Sequence, residues 1–261
     1  MANLLELQQR AQQGEKLAVL TAYDASFARL LAGAGIDVIL VGDSLGMVVQ
    51  GQQSTLPVTL TDMSYHTRAV ALGAPDTFII ADLPFGSYQS SPEQAFISAS
   101  VLMAAGAHCV KLEGGAVMAA TITFLTQRGI PVCGHLGLLP QSVNTLGGYK
   151  VQGKTELAAQ QLLADAQLLA ASGAAMIVLE AIPASLAEKI TRSIAIPTIG
   201  IGAGVACNGQ VLVLYDMLGL GKPPRFSHNF LQQTNNLHDA VSAYVHAVKS
   251  GTFPSEQHSF K

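Results

Sequence analysis

The chain has 261 residues, of which 49% are hydrophobic and 12% are charged, and its formal net charge is −3. This balance excludes an intrinsically disordered chain, because disordered chains are rich in charge and poor in apolar residues. It also argues against a nucleic-acid partner, since the sequence has no basic cluster that could neutralise phosphates. The low content of charged residues indicates that part of the surface is buried between subunits.

An amphipathic helix over about 4–13 begins the chain, and short apolar runs then alternate with helical patterns. The runs are rich in β-branched residues, which is typical of strands that are buried on both faces. The predicted strands are 17–22, 38–41, 78–81, 109–112, 131–133, 176–179, 197–201 and 211–214. The predicted helices are about 25–35, 62–73, 92–105, 116–128, 156–172, 184–193 and 230–249.

Eight strands that alternate with helices predict an α/β fold, a (β/α)8 TIM barrel with a short N-terminal helix. We expect residues 1–261 to form one barrel domain, because no low-complexity linker or block of like charge divides the sequence. The competing interpretation is an open doubly wound sheet, which usually has a glycine-rich turn after its first strand. Here Tyr23 and Asp24 follow the first strand and offer no phosphate cradle, which favours the barrel.

Ionisable residues stand at the ends of five successive predicted strands, although the chain has little charge overall. In TIM barrels the active site lies at the C-terminal ends of the strands, so these side chains are expected to meet at one rim. They are Asp43, Asp82, Lys111 with Glu113, His135, and Glu180.

Three of these carboxylates, Asp43, Asp82 and Glu113, come from neighbouring strands about 4.8 Å apart, so their oxygens can converge. An all-oxygen ligand set with open positions suits Mg²⁺, and we expect one metal ion there. The alternative is that each carboxylate caps the following helix or pairs with a lysine.

The other three rim residues are candidates for acid–base and charge-stabilising roles. Lys111 points to the same strand face as Glu113, two residues on, and could bind a substrate carboxylate or a developing oxyanion, or form a structural ion pair. His135 lies at the rim, and the apolar neighbours of Glu180 predict a desolvated carboxylate suited to proton transfer. A hydrogen-bonded core histidine and a helix-start glutamate are the alternatives.

The residues alone therefore predict a Mg²⁺-dependent enzyme that acts on a small 2-oxo acid. The metal would chelate the carboxylate and keto oxygens and acidify the adjacent C–H by stabilising the enolate. The long connections 51–57 and 138–154 are interpreted as active-site covers.

The sequence also predicts a cytoplasmic protein. Its start has acidic and polar residues in place of a signal peptide, and no apolar stretch reaches the roughly 20 residues of a membrane span. Its three cysteines, Cys109, Cys133 and Cys207, form no CxxC pair, which favours a reducing compartment over a disulfide framework or zinc ribbon.

Ten segments of the sequence form a distinctive set of motifs. They are TAYD (21–24), VGDSLGM (41–47), STLPVT (54–59), ADLPF (81–85), VKLEGG (110–115), VCGHLGL (132–138), PQS (140–142), GGYKVQG (147–153), PTIGIGAG (197–204) and DMLG (216–219). With these motifs, the sequence resembles the ketopantoate hydroxymethyltransferase family from about residue 16 to residue 260. Leu139 departs from the Thr expected before Pro140, and 221–226 is shorter than in some relatives.

The resemblance implies transfer of a hydroxymethyl group from 5,10-methylenetetrahydrofolate to 3-methyl-2-oxobutanoate. The products would be 2-dehydropantoate and tetrahydrofolate, through a Mg²⁺-stabilised enolate, in pantothenate biosynthesis. It also implies a homo-oligomer, expected to be a homodecamer, with one Mg²⁺ per subunit.

The resemblance further assigns roles to particular residues. Asp43, Asp82 and Glu113 would form the Mg²⁺ site, and Asp43, Ser44, Asp82 and Lys111 would bind the 2-oxo acid. Glu180 matches the proton acceptor and His135 lies in the pocket, so Glu180, Lys111 and His135 are the predicted catalytic residues.

Two other functions stay open at this point. A Mg²⁺-dependent lyase for phosphoenolpyruvate-like or methylisocitrate-like acids would use the same barrel and acidic site, but it would carry a catalytic cysteine in a Lys-Lys-Cys-Gly-type loop. A barrel without activity could only bind a ligand or partner, but the intact set of rim residues argues against it.

Overall fold

The computed structural model describes residues 3–261 and contains a closed barrel of eight parallel strands. Neighbours in sequence are neighbours in the barrel, and β8 closes it against β1. The strands are β1 (Leu17–Thr21), β2 (Val38–Val41), β3 (Phe78–Asp82), β4 (Cys109–Glu113), β5 (Val132–Gly137), β6 (Met176–Glu180), β7 (Thr198–Ile201) and β8 (Gly209–Leu212). The predicted (β/α)8 barrel is confirmed and the open doubly wound sheet is wrong.

Helices separate the strands and form the outer layer. They are α1 (Leu4–Gln12), α2 (Ala25–Gly33), α3 (Leu45–Val48), α4 (Leu60–Gly73), α5 (Pro92–Ala104), α6 (Ala119–Thr126), α7 (Val143–Leu146), α8 (Glu156–Ala171), α9 (Ala184–Ser193), α10 (Leu214–Met217) and α11 (Leu237–Lys249). Short 3-10 turns precede α6, α7 and α11.

The strands are buried on both faces, as their apolar sequences predict. Alternate residues such as Leu17 and Val19 point into the barrel, while Ala18 and Leu20 pack against the helices. Leu7 of α1 joins the inner cluster. The helix thus closes one end of the barrel and leaves the C-terminal ends of the strands for a site.

Three predicted elements have wrong boundaries. The fifth strand continues four residues past 133, so His135 lies inside β5 rather than after it. The eighth strand begins at Gly209 because this glycine pairs with Leu17 and Ile199, and it ends before α10. The predicted helix 230–249 is divided, because the Asn236 side chain accepts a hydrogen bond from Asp239 N and starts α11 there.

The assignment of residues 1–261 to one domain includes residues 1 and 2, which lie outside the described part, and it stays a prediction. None of the helices between residues 3 and 261 combines the length and the apolar character needed to cross a membrane.

A network of ion pairs and hydrogen bonds connects α1, β1 and α11 at the closed end of the barrel. The buried Asp37 carboxylate, 5% exposed, accepts from Ala18 N at 2.9 Å, contacts Arg10 of α1, and lies 3.2 Å from Lys249 Nζ of α11. Glu15 bridges the same two cations, with its Oε1 2.6 Å from Arg10 Nη2 and 3.1 Å from Lys249 Nζ. The network joins both ends of the described chain to the first strand.

We predict that Asp37→Ala lowers the free energy of unfolding by about 2–4 kcal/mol, because it leaves two cations and a buried N–H without their shared acceptor. Urea denaturation followed by circular dichroism measures the loss. The exposed, unpaired Asp76 gives a matched control, and Asp76→Ala should change stability by less than about 0.5 kcal/mol. Equal stability of both variants would show that the network contributes nothing.

Candidate active site

A cavity of about 540 Å³ opens at the C-terminal ends of the strands. All of the residues that the sequence predicts for the site line this cavity. They are Asp43, Ser44, Asp82, Lys111, Glu113, His135 and Glu180.

Strand register explains why these side chains meet. Parallel pairing places residues at the ends of neighbouring strands side by side, about 4.8 Å apart. The paired positions at this rim are Asp82 with Lys111, Glu113 with His135, and Gly137 with Glu180. The predicted convergence of charged residues from successive strands therefore follows from the closed barrel.

The innermost contact is an ion pair between Lys111 and Asp82. Lys111 Nζ lies 2.8 Å from Asp82 Oδ1, and both side chains are at most 6% exposed. Burial lowers the pKa of Lys111, but the carboxylates of Asp82, Glu113 and Asp43 raise it well above its ordinary value. The lysine is therefore a fixed positive charge in the cavity wall.

Among the three carboxylates of the predicted metal site, Asp43 is the one whose negative charge is least balanced by nearby cations and hydrogen-bond donors. Its Oδ2 accepts from Gln141 Nε2 at 2.8 Å, while its backbone N–H donates to Asp82 Oδ2 at 3.0 Å. Burial and repulsion from Asp82 and Glu113 raise the pKa of Asp43 to about 8. Close to neutral pH, this carboxyl group therefore readily binds a proton or another cation.

His135 stands between two carboxylates. Its Nδ1 lies 3.5 Å from Glu113 Oε1 and its Nε2 lies 3.2 Å from Glu180 Oε2. Burial and the ammonium of Lys111 lower the pKa of His135, but Glu113 and Glu180 outweigh them and raise it to about 9. A protonated imidazole can then orient Glu180, whose side chain is 14% exposed and faces the cavity.

Local backbone conformation fixes the position of Glu180. A Cβ atom at Gly137 would lie 2.1 Å from the Glu180 carbonyl oxygen, so β5 and β6 approach closely only because residue 137 is glycine. Ala181 follows with φ +47°, a left-handed conformation that costs a non-glycine residue about 1–2 kcal/mol. Such strain is commonly found at functional sites, where the surrounding structure maintains it.

Gln141 is the functional residue that sequence reasoning missed. It is buried, and its backbone N–H donates to Glu113 Oε2 at 3.0 Å. Besides its bond to Asp43, the side-chain amide donates to Leu83 O at 2.9 Å and accepts from Tyr88 Oη at 2.7 Å. Gln141 lies in the PQS segment, but an uncharged amide indicates a role in a site only when the fold places it among carboxylates.

Both long connections contribute to the cavity wall, Thr55 from 51–57 and Leu138, Pro140, Tyr149 and Val151 from 138–154. The Tyr149 hydroxyl donates to Met47 Sδ of α3 at 3.5 Å. A hydrogen bond positions the Ser44 side chain, because its Oγ lies 2.9 Å from Tyr23 Oη.

The helix-capping alternative for the three carboxylates does not hold in the described chain. Neither Asp43 nor Asp82 caps a helix, since Ser44 precedes α3 without a side-chain cap and Ser91 caps α5. The lysine-pairing alternative does apply to Asp82, as the contact with Lys111 demonstrates.

The donor set fits a hard divalent cation. Asp43, Asp82 and Glu113 present buried oxygens to one cavity, and the raised pKa of Asp43 reveals uncompensated negative charge. Between residues 3 and 261, no three His, Cys, Asp or Glu side chains already stand in the arrangement of a metal site. The three carboxylates are instead held by Gln141, Lys111 and His135, so a cation would have to compete with these contacts.

The cysteines offer no nucleophile for the lyase alternative. Cys109, Cys133 and Cys207 are buried, the first two within strands. Burial raises the pKa of the Cys133 thiol to about 12 and that of Cys109 well above its usual range. Thiolates are the reactive form, so these groups are inert.

Comparison with known proteins identifies close relatives. The family model described as ketopantoate hydroxymethyltransferase matches residues 2–256. The chain is 64% identical to the 3-methyl-2-oxobutanoate hydroxymethyltransferase of Thiobacillus denitrificans, over 95% of each chain. It is 60% identical to the enzyme of the same name from Methylobacillus flagellatus, with 99% of this chain and 100% of the relative covered.

Solved structures show the same fold at low identity. A 2,3-dimethylmalate lyase of the PEP mutase/isocitrate lyase superfamily aligns with TM-score 0.61 and 19% identity, covering 84% of this chain and 83% of that one. A phosphoenolpyruvate phosphomutase from Streptomyces platensis aligns with TM-score 0.62 and 15% identity, covering 84% and 83%. At such identity the likeness extends to the barrel alone.

We predict that Gln141→Leu lowers the free energy of unfolding by about 2–3 kcal/mol. The change keeps the side-chain volume but removes the amide N–H donors of the buried Asp43 carboxylate and of the Leu83 carbonyl. Urea unfolding measures the loss, and the exposed Gln160, changed to Leu, is the control. A loss below about 0.5 kcal/mol would mean that the amide network adds no net stability.

Proposed function

The chain belongs to the ketopantoate hydroxymethyltransferase family, and from this we propose the reaction that it catalyses. The enzyme transfers a hydroxymethyl group from 5,10-methylenetetrahydrofolate to 3-methyl-2-oxobutanoate, as a step of pantothenate synthesis. Water supplies the hydroxyl oxygen, and the products are 2-dehydropantoate and tetrahydrofolate. The observation that carries the proposal is the single cavity in which all seven predicted site residues lie.

One Mg²⁺ per subunit would be held by Asp43, Asp82 and Glu113. When bound, the ion would stabilise the negative charge that develops on the keto oxygen of the substrate. The support is the buried, oxygen-only donor set, in which burial and repulsion from Asp82 and Glu113 raise the pKa of Asp43 to about 8, so that a cation bound there is favoured.

The 2-oxo acid binds between Lys111 and Ser44. The Lys111 ammonium attracts the substrate carboxylate and keto oxygen, and the Ser44 hydroxyl, held by Tyr23, donates a hydrogen bond. Asp43 and Asp82 complete the binding wall, since both line the same cavity. The connection 138–154 covers part of the bound acid through Tyr149.

Glu180 takes the proton from C3 of the substrate. The C3–H bond breaks, its electron pair is delocalised towards the keto oxygen, and C3 then forms the new bond to the one-carbon unit. The two C–N bonds that hold this carbon on folate break, water adds the hydroxyl oxygen to it, and the folate nitrogens take up the C3 proton and one proton of the water. His135 holds the Glu180 carboxylate through the 3.2 Å contact and shares the proton work, and Glu113 supports the imidazole from its other nitrogen.

A homo-oligomer is proposed as the assembled form, with a homodecamer as the expected number. Large apolar side chains on the outer helices support it, since Leu72 of α4 is 75% exposed and Ile97 of α5 is 64% exposed. Cytoplasmic location stays a prediction.

We expect the purified protein to convert 3-methyl-2-oxobutanoate in the presence of 5,10-methylenetetrahydrofolate and Mg²⁺. A proton NMR time course should record a growing hydroxymethyl signal and loss of the C3 methine, and treatment with a chelator should abolish both. If the folded, metal-loaded protein produced no such signal, the proposed reaction would be wrong, and lyase substrates such as methylcitrate-type acids would be tested next.

We predict that Glu180→Gln lowers turnover by about 10²–10⁴-fold, because the amide cannot accept the C3 proton. The KM for 3-methyl-2-oxobutanoate should change much less. Steady-state kinetics measures both values, with Glu188→Gln on the exposed face of α9 as control. Turnover close to that of the wild type would assign the proton acceptor to another group.

A further inference from the structure

One part of the cavity wall takes no part in the proton transfer described above. This part of the wall is formed by residues that come after β8 in the chain, near the glycine turn after β7. It lies away from β2, β3, β4 and β6, whose ends carry the carboxylates. Its residues include Asp216, Lys222, Arg225, Phe226 and Phe260. The small 2-oxo acid occupies only a fraction of the roughly 540 Å³ available, so this wall faces space for a second, larger ligand.

Asp216 is the unusual residue of this wall. It lies in α10, directly after β8, and is partly buried. Neither a hydrogen bond nor an ion pair within 4 Å engages its carboxylate among residues 3–261, and burial alone raises its pKa to about 6. A partly buried carboxylate that no protein group donates to loses some hydration without compensation, so the position is suited to a ligand that brings the donors.

Other residues that line the same cavity define the rest of that ligand. Phe226 and Phe260 contribute ring surface, with centroids 6.3 Å apart. Lys222 forms no ion pair in the described chain. Arg225 donates to the Gln257 carbonyl at 3.2 Å, and its guanidinium carbon lies 5.8 Å from the centre of the Phe260 ring. The wall thus combines an acceptor of two hydrogen bonds, aromatic surface and two cations.

These features match the chemistry of a reduced folate. Its pterin ring carries an amino group beside a ring N–H, two parallel donors that a single carboxylate can accept. Its glutamate tail carries carboxylates that lysine and arginine bind. A further 2-oxo acid would bring acceptors only and would be repelled by Asp216.

We propose that Asp216 recognises the pterin of the one-carbon carrier by accepting its 2-amino and N3 hydrogens, while Lys222 and Arg225 bind the glutamate carboxylates. This assignment rests on the proposed function, because it presupposes a folate co-substrate. It makes Asp216 a specificity-determining residue that selects the carrier and takes no part in proton transfer.

The first test measures tetrahydrofolate affinity by isothermal titration calorimetry. Asp216→Asn should weaken binding by about 10–100-fold, since the amide presents one donor to the pterin donors. The KM for methylenetetrahydrofolate should rise similarly, and the KM for 3-methyl-2-oxobutanoate should change by less than about threefold. Asp76→Asn, on an exposed residue outside the cavity, is the control. Wild-type affinity in the Asp216 variant would overturn the assignment.

A second test uses the unaltered enzyme and is independent of how the variant folds. A tetrahydrofolate analogue with hydrogen in place of the 2-amino group should bind the wild type at least about tenfold more weakly than tetrahydrofolate. Asp216→Asn, where folded by circular dichroism, should discriminate between the two by less than about threefold. Equal binding of both compounds to the wild type would also overturn the assignment.

Failure of this inference is distinguishable from failure of the proposed function. Wild-type protein that forms the hydroxymethyl product supports the transferase whatever Asp216 does. Deuterium exchange at C3 of 3-methyl-2-oxobutanoate, followed by NMR without folate, tests proton abstraction separately. Suppose that the wild type exchanges deuterium at C3 and forms the hydroxymethyl product, while the Asp216 variant binds tetrahydrofolate normally. The proposed function would then stand, and the pterin contact would be rejected.

Discussion

The cost of burying charge governs the arrangement of the candidate site. Asp43, Asp82 and Glu113 are 4%, 3% and 6% exposed, and buried carboxylates are tolerated only where cations or hydrogen-bond donors reach them. Lys111 supplies the cation and Gln141 supplies N–H donors to two of the three. The compensation is incomplete, as the raised pKa of Asp43 indicates, and a divalent ion could use the remaining negative charge.

The barrel makes this concentration of charge possible. Strand pairing places residues from successive strands side by side at one rim, while α1 and the network around Asp37 close the opposite end. Stability and chemistry therefore reside at different ends of the same strands, as in other TIM barrels. Loops at the open end can then vary without disturbing the closed one.

The cavity is chemically asymmetric, and this asymmetry suits a reaction with two substrates. The side formed by β2 to β6 carries carboxylates, Lys111 and His135, which favour a small oxo acid and proton transfer. The side after β8 carries Asp216, aromatic rings and cations, which favour a larger ligand with donors at one end and anions at the other. The two sides face the same space, so the reacting carbons of two bound molecules can meet between them.

The barrel and the candidate site residues could be predicted from the amino-acid sequence alone. Apolar strand runs and helical periodicity are local signals, and carboxylates at strand ends follow directly from them. The motifs around Asp43, Lys111 and His135 also indicated the family, which comparison with relatives confirmed. These properties could be predicted because each depends on short segments and on one topological rule.

The contacts between the site residues depend on the tertiary structure. The bridging position of Gln141 and the place of His135 between Glu113 and Glu180 join residues from distant parts of the chain. The fold also leaves the Asp216 carboxylate without a donor among residues 3–261. The strand and helix ends at 137, 209 and 236 were missed, because pairing with neighbours and a side-chain cap set them. Burial and long-range pairing determine which groups stay charged and which side chains contact each other. Local sequence patterns contain neither kind of information.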